Sequence, residues 1–168
     1  MIIVSPTLRH LSSAFLWISL LVVSGIFGEG WAPDSYGAPT PPRTLNGHQG
    51  EIFGLAFDPS GQIIASGSGD QSIRLWDVET GRLQTVLKGH TAAVRTLAFS
   101  PKGNFLASGG SDKTTRIWDV QTGKETVSFT SVFGNIRAVA FSPDGEILAS
   151  TGRCRRPLVQ NGGTVLRK

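Results

Sequence analysis

The sequence predicts an all-β fold of repeated four-stranded antiparallel sheets, two complete and a third in part, and two observations predict it. First, the chain repeats itself. A shift of 42 residues lays Gly47-His48 on Gly89-His90, Phe57 on Phe99, Gly61 on Gly103, Asp70 on Asp112 and Trp76-Asp77 on Trp118-Asp119. Between Leu45 to Val86 and Leu87 to Ser128, 18 of 42 positions are identical. Second, each period is divided into short apolar runs separated by turn residues, the pattern of strands joined by tight connections.

Taken in order, the elements of the second period show the logic. "AAVRTLAFS" carries apolar residues on both parities (Val94, Leu97, Ala98, Phe99), which suits a strand covered on both faces. "SPKG" follows as a turn, with Pro101 presetting φ and Gly103 accepting a positive φ. "NFLASGG" is the second strand, "SDK" a tight reversal, "TTRIWDV" the third strand, "QTGK" another turn and "ETVSFT" the fourth strand. A sheet of this size cannot be a domain alone. Repetition at a fixed period predicts a stacked or radial array in which each unit buries its faces on the next, and small antiparallel sheets repeated around an axis give a β-propeller.

The residues themselves resemble a known family. The Gly-His, Ser-Pro-Asp-Gly, Leu-Ala-Ser-Gly-x-x-Asp and Trp-Asp elements are similar to those of WD40 repeats, and the resemblance covers Leu45 to about Gly152. It implies WD40-type propeller blades, in an array of two full blades (45–86 and 87–128) and part of a third (129–152). It also implies a structural hydrogen-bonded network in each blade: His48, Ser66, Asp70 and Trp76 in the first copy, and His90, Ser108, Asp112 and Trp118 in the second. A buried Asp needs donors, and a His, a Ser hydroxyl and an indole N–H supply them in series.

The third copy departs from the pattern. "FTSVFGNIRAVAFSPDGEILAS" keeps Phe141, Ser142-Pro143-Asp144-Gly145 and Leu148-Ala149-Ser150, but Ser131-Val132 stands where Gly-His belongs. After Gly152 the register fails, with Cys154 at the Asp position and Gln160 at the Trp position. Residues 153–168 are therefore expected to be an aberrant basic tail without regular structure, and a truncated or frame-shifted gene is the expected origin. Two and a half repeats fall short of the about 3 that a stable array needs. Such an array is expected to leave strand residues such as Phe53, Leu55 and Phe57 uncovered and to self-associate through open blade edges or join a partner's blades.

The N-terminal segment carries a different message. Arg9 and His10 precede an uncharged span, Leu11 to Gly28, whose apolar centre "AFLWISLLVVSGIF" is 14 residues long. That length fits a secretory core better than the roughly 20 residues of a spanning helix. Residues 1–30 are expected to be a signal peptide or membrane anchor, with membrane contact through 11–28, and a spurious apolar segment is the remaining reading. Either targeted reading makes the repeats secreted or held outside the membrane rather than cytoplasmic. Residues 31–44, with Pro33, Pro39, Pro41 and Pro42, form a stiff linker.

Charge excludes one function class. The formal net charge is +4, but Arg153, Arg155, Arg156, Arg167 and Lys168 lie in the tail, and without them 11 basic residues face 12 acidic ones. The repeats carry no electrostatic footprint for nucleic acid. His48 and His90 have no second ligand at metal spacing, so no metal and no cofactor are expected. "GSGDQS" lacks a phosphate-loop Lys and opens a strand, so it reads as a hairpin turn. Ser66, His48 and Asp70 contain the residue types of a nucleophilic triad, but their recurrence in the second copy favours the structural network.

Two function classes follow, with a third behind them. WD40 proteins are typically non-enzymatic scaffolds that bind other proteins through loops on the propeller faces. Glu51, Gln71, Arg95 and Lys113 are the candidate contact residues here, and ordinary solvated surface is the competing reading of all four. The second class is enzymatic, as a propeller hydrolase or the regulatory appendage of a missing enzyme, which no unique nucleophile, metal cluster or acid pair supports. The third is a non-functional remnant of a longer gene.

Overall fold

The structure, a computed structural model, describes residues 2–4, 43–132, 134–152 and 163–167. Thirteen strands and no helix are found among them. Ile2–Thr44 form one compact unit and Leu45–Lys168 another. In the N-terminal part, β1 (Ile2–Val4) pairs with β2 (Arg43–Leu45). The apolar span 11–28 and most of the Pro-rich linker lie outside the described residues.

The larger unit is three antiparallel sheets in chain order. The first is β3 (Ile52–Phe57), β4 (Ile63–Ser68), β5 (Ser72–Asp77) and β6 (Leu83–Lys88). The second is β7 (Val94–Phe99), β8 (Phe105–Gly110), β9 (Thr114–Asp119) and β10 (Glu125–Thr130). The third is β11 (Ile136–Phe141), β12 (Ile147–Gly152) and β13 (Gly163–Arg167). Each strand pairs with its sequence neighbour, so every sheet is a meander. The last strand corrects one expectation. Residues 163–167 lie in the tail expected to lack regular structure, yet they pair with β12 from Ile147↔Arg167 to Thr151↔Gly163. The signal missed is "TVLR", a β-prone run marked by Gly162-Gly163.

The first hairpin of each sheet shows why these sequences turn. In each, a Gly N–H donates back to a carbonyl three residues earlier: Gly61 to Asp58 (2.9 Å), Gly103 to Ser100 (2.8 Å) and Gly145 to Ser142 (2.9 Å). These glycines sit at φ of +70°, +76° and +77°, the left-handed region that a Cβ disfavours. A side-chain acceptor closes the turn. The Asp58 carboxylate accepts the Ile63 N–H (2.7 Å), and the Ser100 and Ser142 hydroxyl oxygens accept those of Phe105 (3.1 Å) and Ile147 (2.9 Å).

Alternation along the strands divides each sheet into two unlike faces. In the second sheet, Leu97↔Ser108 and Phe99↔Leu106 share the face towards the first sheet, while Thr96↔Gly109 and Ala98↔Ala107 share the face towards the third. We term these the leading and trailing faces. Leu97, Leu106 and Trp118 of the second sheet form one core with Ala65, Ile73 and Leu75 of the first. Val139 and Leu148 of the third sheet, with Ile136, form another on Ala107, with Ala98 and Ile117 packed against it. In both contacts the second strand presents an alanine, Ala65 or Ala107, flanked by larger residues of the third strand, Leu75 or Ile117.

Glycine makes the closest part of this contact. A Cβ on Gly67 would lie 2.8 Å from Val94 Cγ1, and one on Gly109 would lie 2.3 Å from Ile136 Cγ2. Each Gly thus receives the β-branched residue that begins the next sheet. Gly109→Ala is expected to lower the free energy of unfolding by about 1–3 kcal/mol through overpacking. A urea titration followed by tryptophan fluorescence checks it, and an unchanged midpoint would contradict this account of the sheet contact.

Candidate interaction site

Four side chains distant in sequence meet in each of the first two sheets. His48 sits in the segment entering β3, Ser66 on β4, Asp70 in the β4–β5 turn and Trp76 on β5. His48 Nδ1 lies 2.8 Å from Asp70 Oδ2, and His48 Nε2 lies 2.8 Å from Ser66 Oγ. The Trp76 indole N–H donates to Ser66 Oγ at 2.8 Å. In the second sheet, His90 to Asp112, His90 to Ser108 and Trp118 to Ser108 are each 2.8 Å again. One donor order satisfies every member: indole N–H to Ser oxygen, Ser O–H to His Nε2, and His Nδ1–H to carboxylate. All donors point the same way, so each bond polarises the next.

The carboxylate at the end of each chain is held from several sides. Asp112 also accepts the backbone N–H groups of Thr91 (3.0 Å) and Thr114 (3.0 Å) and the Thr114 hydroxyl (2.8 Å). Asp70 accepts the N–H groups of Gln49 (2.9 Å) and Ser72 (3.0 Å) and the Ser72 hydroxyl (2.6 Å). Burial alone would raise these carboxyl pKa values, but the accumulated donors outweigh it and hold both below the usual carboxylate range. Burial pushes the His90 imidazole down, against the pull of Asp112, so the ring is held neutral as the donor order requires.

Asp–His–Ser at these distances also resembles a hydrolase triad. Its Ser is the obstacle. Ser66 and Ser108 are fully buried, and each hydroxyl oxygen already accepts an indole N–H, which leaves no path for a substrate carbonyl. Among the described residues, the third sheet makes no such chain. Val132 stands at the His place and is 88% exposed, whereas His90 is buried. Cys154 and Gln160 lie outside the described residues.

The carboxylates of the two Trp-Asp pairs do separate work. Trp76 and Trp118 point inward, while Asp77 and Asp119 cap the next turn, each accepting a Thr N–H at 2.7 Å, from Thr80 and Thr122. The Thr80 and Thr122 hydroxyls donate to the same oxygens at 2.7 and 2.8 Å. Their signal in the sequence is the repeated Asp-Val-x-Thr-Gly. A second missed feature is the Arg two residues before each Trp. Arg116 donates from Nε to Thr114 Oγ1 (3.1 Å) and from Nη1 to Glu125 (2.5 Å). Arg74 lies 6.0 Å from the Trp76 ring centroid with its buried Nε unpaired, where Arg116 Nε has Thr114, and Leu83 occupies the place of Glu125.

The four candidate contact residues gather at the network end of the sheets. Gln71 and Lys113 occupy the β4–β5 and β8–β9 turns at φ of +70° and +67°, conformations rare for residues other than Gly. Glu51 adjoins the first turn, its carbonyl accepting the Gly69 N–H at 2.8 Å. All four are exposed. Arg95 is nevertheless committed: its Nε donates to Ser111 Oγ (2.6 Å) and its guanidinium lies 5.0 Å from the Phe53 ring centroid. That leaves Glu51, Gln71 and Lys113 facing water on turns anchored by the networks. Among the described residues, no three His, Cys, Asp or Glu side chains gather in a metal-binding group.

Comparison with known proteins adds relatives to this geometry. The family model described as "WD domain, G-beta repeat" matches residues 39–77, 81–119 and 124–156. The chain is 55% identical over 40 residues to eukaryotic translation initiation factor 3 subunit I of Neurospora crassa, covering 24% of this chain and 12% of that protein. It is 47% identical over 45 residues to the pleiotropic regulator PRL2 of Arabidopsis thaliana, covering 27% of this chain and 9% of that protein. A solved structure of U3-55K superposes with a TM-score of 0.63 at 35% identity, covering 65% of this chain and 35% of that one. The curated matches thus span a small part of much longer proteins.

The expectation that the repeats are secreted or anchored outside a membrane is corrected by these relatives. They are translation initiation factor subunits and regulators rather than secreted proteins, and initiation of translation is a cytoplasmic process. The apolar span suggested export by its length alone, a property that does not distinguish targeting from other uses of such a segment.

Three measurements test the site. Stability is expected to rise with pH in two ranges, because His90 and both network Asp residues have depressed folded pKa values and the unfolded chain therefore binds more protons. The His90 contribution is complete above its unfolded value near 6.5 and is lost as pH falls through its folded value. The Asp70 and Asp112 contributions begin to fade near 3.8 and are lost below it. Urea midpoints from pH 8 to pH 3 report this, and Ser108→Ala, which leaves its His and Trp partners unpaired, is expected to cost about 1–3 kcal/mol at pH 7. In the opposite direction, Leu83→Glu gives Arg74 the acceptor that Arg116 has. It is expected to stabilise by at most about 1 kcal/mol, an increment that shrinks in high salt; equal gains at low and high salt would refute the pairing.

Proposed function

Because the chain belongs to the WD40 repeat family, we propose that it is a non-enzymatic platform on which other proteins assemble, with Glu51, Gln71 and Lys113 as the contact side chains. One observation carries this reading. The side chains that could perform chemistry, His48, Ser66 and Asp70 and their counterparts His90, Ser108 and Asp112, are consumed in holding the turns that present those contacts. Rigidly held exposed turns lose little entropy on binding, which is what a recognition surface requires. The relatives support assembly into a complex, since one group of them is named as a subunit of a translation initiation factor. Protein is favoured over nucleic acid as the partner class because the basic excess lies outside the repeats.

The near-triad geometry keeps a hydrolase as the competing reading, and both are tested together. Photo-crosslinkers at Gln71 and Lys113 are expected to capture partner proteins that crosslinkers at Gln62 and Asn104, on the opposite turns, do not. Glu51→Lys with Lys113→Glu is expected to abolish that capture without changing the unfolding midpoint. Equal capture from both ends removes the platform reading, and ester hydrolysis lost specifically in Ser66→Ala would replace it with the enzymatic one. A second association, of the chain with itself, is supported by the exposed apolar side chains of β3, Phe53, Leu55 and Phe57.

A further inference from the structure

Arg95 is held by one edge of its guanidinium and leaves the other open. Its Nε donates to Ser111 Oγ at 2.6 Å, and the group rests 5.0 Å from the Phe53 ring centroid. The Ser111 N–H donates in turn to the Ala93 carbonyl at 2.8 Å, so the β8–β9 turn and the segment entering β7 carry the guanidinium together. Neither Arg95 Nη donates to a described residue. Among the described residues, no carboxylate lies within ion-pair distance of Arg95 or of Lys113, two residues beyond Ser111. Asp112 stands between them in sequence, but its oxygens already accept from His90, Thr91 and Thr114. Arg95 and Lys113 both face water. Arg137 provides the contrast: it takes the same position on β11 and is exposed, yet makes no hydrogen bond or ion pair among the described residues. In the sequence, Arg153 stands where the third copy would need a Ser111.

We propose that the open edge of Arg95, with Lys113 on the adjoining turn, receives the carboxylate of an Asp or Glu side chain of the partner protein. Two Nη donors in one plane match the two oxygens of a carboxylate. A fork already oriented by Ser111 and Phe53 loses little freedom when it closes on that group. Phe53, 41% exposed, offers apolar area next to the charge, so the segment recognised pairs an acidic residue with an apolar neighbour. A nucleic acid fits less well. Phosphate backbones are held by runs of cations, whereas the exposed Glu51 borders Gly69 together with Phe53 and puts a negative charge beside this one. Arg95 also lies over the Phe53 ring, where a base would have to stack. The proposal rests on the platform reading, to which it adds an anchoring residue and the chemistry of the partner.

Selection of a random-peptide display library on the immobilised full chain tests it. Asp and Glu are expected to be enriched in the recovered peptides over the unselected library. Labelled with fluorescein and read by anisotropy, those peptides are expected to bind Arg95→Gln at least about tenfold more weakly than the parent. Arg95→Lys, which keeps the charge but not the fork, is expected to fall between the two. Arg137→Gln removes the same charge from a side chain that nothing orients, and is expected to change affinity by no more than about twofold. Equal losses in Arg95→Gln and Arg137→Gln overturn the oriented fork in favour of diffuse attraction. Peptides recovered without acidic enrichment overturn the carboxylate, as does oligodeoxythymidylate that displaces the peptides and depends on Arg95 more strongly than they do. An empty selection overturns the proposal as well. In each of these cases the platform reading is decided separately, by whether the crosslinkers at Gln71 and Lys113 capture partners that those at Gln62 and Asn104 do not.

Discussion

A four-stranded sheet with apolar side chains on both faces cannot keep either face dry alone, and that constraint orders the rest of the molecule. The chain answers it by making the faces unlike. In the first two strands of a sheet, large residues (Leu97, Phe99, Leu106) project one way and small ones (Ala98, Ala107, Gly109) the other, so these strands meet the next sheet large on small, while the third strand adds Ile117 to the small side. Two large faces would hold the sheets too far apart for dense packing, and two small ones would bury too little apolar area to offset the entropy of ordering the strands. The same asymmetry gives the stack a direction.

The polar network acts at right angles to that packing. Stacking holds sheet to sheet, whereas the chain from Trp118 through Ser108 and His90 to Asp112 holds β9, β8, the entering segment and the β8–β9 turn within one sheet. Each member is buried or nearly so, and each would be costly there without its neighbours. The carboxylate is the anchor. By accepting the N–H groups of both Thr91 and Thr114, Asp112 ties the segment entering β7 to the start of β9, which no strand pairing connects.

Much of this was legible in the sequence, and the reason is repetition. A single copy of Ser, His and Asp reads equally as a triad, a metal site or scattered surface; two copies in register with a Trp are explained by a structural job. Strand positions were readable because Gly61, Gly103 and Gly145 mark the same positive-φ turn three times. What escaped notice lies where the copies differ or where spacing says nothing. Leu83 in place of Glu125 denies Arg74 the carboxylate that Arg116 has, a fact that requires the β5–β6 register. Arg95 reads as free surface until the structure places it over Phe53, a residue of the neighbouring sheet. The strand at 163–167 escaped because it carries no copy of the repeat's motifs and is set only by its pairing with β12.

The third sheet separates the two devices. It has lost the His, with Val132 in its place, yet Val139, Phe141 and Leu148 still pack on the second sheet, and Ser142 still closes the first hairpin. Packing alone therefore suffices to place β11 and β12 on their neighbour. Without a His there, no ring bridges the entering segment to β12, and Ser150 lacks the imidazole partner that Ser66 and Ser108 have. If the networks exist to make turns rigid enough for recognition, the binding surface belongs to the first two sheets. The third then extends the stack without adding to that surface.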